Sequence, residues 1–157
     1  MANAEYRSRT NYFRVRNLKE FTDDLERYGI DYGNWGSQSD VIIDNSPHNK
    51  PAKAIALFTY DFWPMFDEEM VADRLELNDG EPVPQEYESI EDLITAHLEE
   101  TDVAIIMGIG MEKMRYLDGY AVAVNATGQK RALRLDDIYD LAKEIAPQKN
   151  TVTQALY

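Results

Sequence analysis

Between residues 61 and 102 the chain carries fifteen Asp and Glu side chains and a single base, Arg74. Carboxylates at that density cannot neutralise one another and repel at short range, so folding alone does not favour the arrangement. The segment therefore belongs on a solvated face or loop. The stretches on either side are balanced. Residues 1–60 hold eight acids and eight bases, and residues 103–157 hold six acids and seven bases. The net charge of −13 thus sits almost wholly in the middle of the chain.

A chain of 157 residues has the length of one domain and can bury a core without staples. The reading is a single α+β domain over 1–157 with an acidic insert at about 61–102. There is no cysteine, which excludes disulfides, thiolate catalysis and cysteine-based zinc sites. The first residues lack the apolar stretch of a signal peptide. The longest apolar run, Val103 to Ile109, is too short for a bilayer, which needs about 20 residues. A cytoplasmic, non-membrane protein is the expectation.

Tyr12 to Arg16 alternates apolar and polar residues, as a half-buried strand does. A helix follows, with Asn17 as cap, Leu18, Phe21, Leu25 and Tyr28 as its apolar stripe, and Gly29 as its stop. Strands are expected around Ile30–Trp35, Asp40–Asp44 and Ala52–Tyr60, with turns at Asn45–Pro47 and Asn49–Pro51. Within the acidic segment, Glu68 to Leu75 reads as a helical piece. A further helix starts at Ser89, with Ile90, Leu93, Ile94 and either His97 or Leu98 turned inward. Val103 to Ile109 is apolar at every position but Gly108 and predicts a central strand covered on both sides. Strands at Tyr120–Val124 and Ala132–Leu135 follow. A last helix from about Asp136 turns Ile138, Leu141, Ala142 and Ile145 inward and stops at Pro147. The order, roughly βαβββ-αβββα, describes a mostly antiparallel sheet covered by about three helices.

Enzyme signatures are sparse. His48 and His97 stand alone in sequence, and Gly108 and Gly110 lack the third glycine and βαβ setting of a nucleotide loop. Glycines inside a strand more often mark a bulge or close packing. Asp67-Glu68-Glu69 and Asp136-Asp137 lack the loop that arranges oxygen ligands around calcium, and they read as charges at helix starts. No catalytic residue, metal or cofactor is assigned.

Binding is the better-supported class. Asp67, Glu68, Glu69, Asp73, Glu76, Glu86, Glu88, Glu91 and Asp92 supply a negative field, and Trp63 and Phe66 are the candidate aromatic anchors beside it. A basic surface of a host protein is the expected partner, by mimicry of a nucleic acid. Arg7, Arg9, Arg14, Arg16 and Lys19 cluster near the first strand, but the negative total disfavours direct nucleic-acid binding. They are expected instead to pair with the acidic segment, across the fold or across a homodimer. The alternatives are a small enzyme built on carboxylates, Tyr and His, and a homo-oligomeric structural or regulatory protein.

Arg9 to Val15, Met111 to Leu117 and Gly119 to Ala121 resemble stretches of small uncharacterised proteins carried by phages, plasmids and other mobile elements. That resemblance implies a setting in which small acidic proteins disarm host defence, as anti-CRISPR and antirestriction proteins do. It transfers no functional residue.

Overall fold

The computed structural model describes residues 4–45, 52–112 and 116–145. The fold is α+β, with one sheet of eight strands and four α-helices. The strands are β1 (Ala4–Thr10), β2 (Phe13–Arg14), β3 (Tyr32–Gly33), β4 (Val41–Asp44), β5 (Ala54–Thr59), β6 (Val103–Glu112), β7 (Tyr116–Asn125) and β8 (Lys130–Arg134). Their spatial order is β3-β4-β5-β1-β6-β7-β8, with β2 also on β5. Every described pairing is antiparallel except β3 with β4.

β1 lies at the centre of this sheet, yet its hydrophobic pattern is nearly blank. Arg7 and Arg9 point to one face, and the buried Ser8 and Thr10 to the other. What holds it is hydrogen bonding: the Leu57 amide donates to Thr10 Oγ1 at 2.8 Å, and Ser8 Oγ donates to the Asp61 carbonyl at 3.1 Å. At residue 11 the chain steps from β1 to β2, and Asn11 bridges the step. Its backbone amide donates to the Ile105 carbonyl, and its side-chain oxygen accepts from the Ile105 amide at 2.7 Å.

The helices are α1 (Leu18–Arg27), α2 (Glu68–Arg74), α3 (Ile90–His97) and α4 (Ile138–Ile145), the last entered through a single 3-10 turn, Leu135–Asp137. Each of the first three starts on a side-chain cap. Asn17 accepts from the Lys19 and Glu20 amides, Asp67 from that of Met70, and Ser89 from that of Asp92. Gly29 ends α1 at φ +67°, where a Cβ would also lie 2.9 Å from that of Arg74. Helices α1 and α3 cover one face of the sheet. Phe21, Leu25, Leu93 and Ile94 are fully buried in a core that reaches Ile43, Leu57, Ile106 and Val124 on the strands.

Two sequence expectations are corrected here. β6 is covered on one face only: Ala104 and Ile106 are buried, while the alternate residues Val103, Ile105 and Ile109 are 49%, 38% and 66% exposed. The α4 stripe is not turned inward, since Ile138, Leu141 and Ile145 are 55%, 50% and 85% exposed. A continuous apolar run and an amphipathic stripe show that a surface must be covered, not which molecule covers it. The expected turns at 45–47 and 49–51 fall largely, and the stop at Pro147 wholly, outside the described residues.

The strand glycines mark close packing. A Cβ on Gly110 would lie 2.0 Å from the Tyr6 ring, which stacks on Phe62 at 3.7 Å between centroids. Gly110→Ala is therefore expected to lower the unfolding free energy by roughly 1–3 kcal/mol. In a Tyr6→Ala background most of that penalty disappears. Urea titrations of the four proteins check it, and equal penalties in both backgrounds would refute the steric account.

Candidate functional site

The acidic segment lies between β5 and β6 and contains α2, α3 and the loop joining them. The structure divides the proposed carboxylates by what they already do. Asp67 caps α2. Glu86 pairs with Arg27 at 2.6 Å. Asp92 takes Lys130 from β8 at 2.6 Å and the Ser89 hydroxyl at 2.8 Å. Burial opposes its charge, but those two partners outweigh burial and hold the carboxyl below its usual range. Asp102, at the end of the segment, binds Arg14. That arginine's hydrogen bonds lower its carboxyl in the same way. Of the basic residues expected to bridge into the segment, Arg14 does so through Asp102, while Lys19 pairs with Asp23 on its own helix. Lys130, not foreseen, adds a second tie to the sheet through Asp92.

Glu68, Glu69, Asp73, Glu76 and Glu88 are different. All five are exposed, and among the described residues none has an ion-pair partner. α2 buries Val71 and half-buries Leu75 at the next turn, which puts Glu69 and Asp73 on the opposite, solvent side at i, i+4 spacing. Arg74, the segment's single base, does not neutralise them. Its guanidinium donates to the Tyr28 carbonyl at 3.0 Å and the Met65 carbonyl at 2.7 Å. Glu91 is half-buried on α3.

The aromatic anchors are corrected. Trp63 and Phe66 are each only 7% exposed and belong to the core, where the Phe66 ring lies 4.9 Å from that of Tyr28. The side chains that face solvent in this stretch are Tyr60, Phe62 and Met65, at 53%, 52% and 61%. A dense aromatic run shows that something is buried, but its phase is set by the turn at Asp61, where the Phe62 amide donates to the Asp61 carboxylate.

An open cleft of about 670 Å³ lies between these residues, the Ser37–Asp40 stretch and α2. Its carboxylates, Asp40 and Asp61, are engaged with backbone amides, accepting from those of Asp31 and Phe62. Among the described residues no group of three or more His, Asp and Glu is placed to hold a metal ion. No helix among them is long and apolar enough to cross a membrane.

His97 and Leu98, the two alternatives for the inner face of α3, are both buried. The His97 Nε2 lies 2.8 Å from Asp24 Oδ2, which also accepts from the Tyr87 hydroxyl at 2.7 Å. An ionised carboxylate only accepts, so Nε2 carries the proton. Burial works against the charge on Asp24, but the Tyr87 and His97 bonds and the nearby Arg27 overcome it and lower its carboxyl. Burial and the same carboxylate push the Tyr87 phenol well up. The network locks α1 to α3 and to the acidic loop. It pairs a base with a half-buried acid, and the hydroxyl beside them, that of Tyr87, is spent in donating to Asp24.

The fold and this surface define a class, an acidic α+β protein in which exposed carboxylates without ion-pair partners among the described residues lie on α2 and in the loop joining it to α3. Beyond that class the comparisons do not go: no protein-family model, no curated protein and no solved structure matches the chain.

Proposed function

We propose that the protein is a non-enzymatic binding protein whose acidic segment docks on a basic surface of another protein, in the manner of a nucleic-acid mimic. One observation carries the reading: Glu68, Glu69, Asp73, Glu76 and Glu88 stand exposed and unpaired among the described residues, while neighbouring carboxylates are consumed by caps and bridges. Like charges held together without partners cost folding energy, and a cationic surface recovers it on binding. The setting implied by the mobile-element resemblance, an inhibitor of a host nucleic-acid-binding or defence protein, belongs to this proposal. The corrected anchors leave Phe62, Met65 and, within α2 itself, Met70 as exposed apolar side chains beside the charge.

The structure also says which residues to change. Converting Glu68, Glu69, Glu76 and Glu88 to Gln and Asp73 to Asn removes five charges and leaves the described side-chain caps and ion pairs intact. A control variant neutralises Glu5, Glu20, Asp23, Glu26 and Asp31 on the other part of the chain. Affinity capture from a bacterial lysate is compared at low and high salt, and captured proteins are tested for competition with DNA and RNA. The expected result is a nucleic-acid-binding protein held by the native and control chains, released by salt, and lost with the five-site variant. Exposed charges are screened beyond about 8–10 Å at physiological salt. Capture that ignores both salt and the five substitutions would overturn the proposal.

A further inference from the structure

Nine of the fifteen large apolar side chains exposed among the described residues lie between Val103 and Ile145. They occupy two surfaces. The first is the uncovered face of the sheet. Register places Phe58, Arg9, Met107, Ala121 and Leu133 side by side in one row across β5, β1, β6, β7 and β8. Ile105 and Ile109 stand in the rows on either side, and both are exposed among the described residues. The second is the α4 stripe, where Ile138, Leu141 and Ile145 recur at i, i+3, i+7. An apolar groove of about 330 Å³ joins the two, with Ala121 and Leu133 on the sheet side and Ile138 and Leu141 on the helix side.

The charges at these surfaces have opposite sign. The open sheet face carries Arg7, Arg9 and Arg131, all exposed; its acids among the described residues are the exposed Glu5 and the half-buried Asp44 on β4. Asp140 and Glu144 run along one edge of the α4 stripe, both exposed, with Lys143 of the same helix paired to Asp140 at 2.7 Å. One chain thus presents an apolar sheet with arginines and an apolar helix edged with carboxylates, each without a cover among its described residues.

We infer that a second copy of this chain covers both at once, with α4 of each protomer lying across the open sheet face of the other. A two-fold pairing satisfies the helix and the sheet of both chains in one interface. This surface lies outside the acidic segment, so the inference stands or falls separately from the proposed function. A nucleic acid is the weaker occupant of the arginine-bearing face, because the net charge of −13 repels phosphate.

The test measures the mass of the full chain by sedimentation and light scattering over a wide dilution series. The native protein is expected to be a dimer. Asp140→Lys with Glu144→Lys in one variant, and Arg9→Glu with Arg131→Glu in another, each weaken dimerisation by roughly tenfold or more. Mixed together, the two variants recover the native affinity, since each altered helix then meets an altered sheet. All four positions are exposed, and an unchanged circular-dichroism spectrum confirms that each variant is folded. A monomer at all concentrations would overturn the inference. So would a dimer insensitive to both variants, or one that mixing does not restore.

Discussion

Phe21→Ala is expected to lower the unfolding free energy by about 3–5 kcal/mol, the cost of removing a fully buried aromatic ring. Phe21 has no exposed surface, sits at the centre of the α1 stripe, and meets the His97 ring edge-on at 5.6 Å. Its loss opens a cavity where α1, α3 and the sheet converge, and those elements are held apart by their own caps and pairings. Against a total of about 5–15 kcal/mol for a domain of this kind, the change removes a large share of the stability. The same helix supplies the comparison. Leu18 belongs to the same sequence stripe but is 41% exposed, so Leu18→Ala is expected to stay within about 0.5 kcal/mol. Urea unfolding separates them: a lowered midpoint at constant slope for Phe21→Ala, and almost none for Leu18→Ala. Equal losses would mean that the stripe does not face the sheet as described.

That contrast shows how far hydrophobic patterning reaches. The caps Asn17 and Ser89, the stop at Gly29, the acidic helix over 68–74 and the antiparallel sheet were all readable, because each leaves a local chemical signature. β1 was not. Its outward arginines and inward Ser8 and Thr10 erase the alternation, and its place at the sheet's centre comes from cross-strand hydrogen bonds with β5 and β6. The second face of β6 and the α4 stripe were misread for the converse reason. Their apolar residues are real, but burial within one chain does not follow from apolarity.

The candidate site divides in the same way. The concentration of charge could be counted directly. Which carboxylates are already spent could not, because Arg27 finds Glu86 and Lys130 finds Asp92 only after the chain has folded back on itself. Trp63 and Phe66 were legible as aromatic but not as buried. The Asp24–His97–Tyr87 network was invisible, its three members being separated by 73 residues of sequence at the widest.

Asp24→Asn is expected to cost about 2–3 kcal/mol at neutral pH, since one small carboxylate satisfies the buried His97 and the Tyr87 hydroxyl together. An amide of the same size offers one acceptor oxygen and turns a donor toward the second partner. The pH dependence identifies the cause. The folded-state carboxyl of Asp24 is held below its unfolded value, so its contribution is complete above about pH 4 and is lost as pH falls through the lower, folded value. Asp92 and Asp102 are lowered too, and they steepen the acid limb of the native protein and the variant alike. The gap between native and Asp24→Asn stability should therefore be wide and level at neutral pH and shrink on acidification below about pH 4. Urea midpoints taken across that range measure it. A gap that keeps its full width into the acid would show that the charge on Asp24 contributes nothing, and that only the shape of its side chain joins α1 to α3.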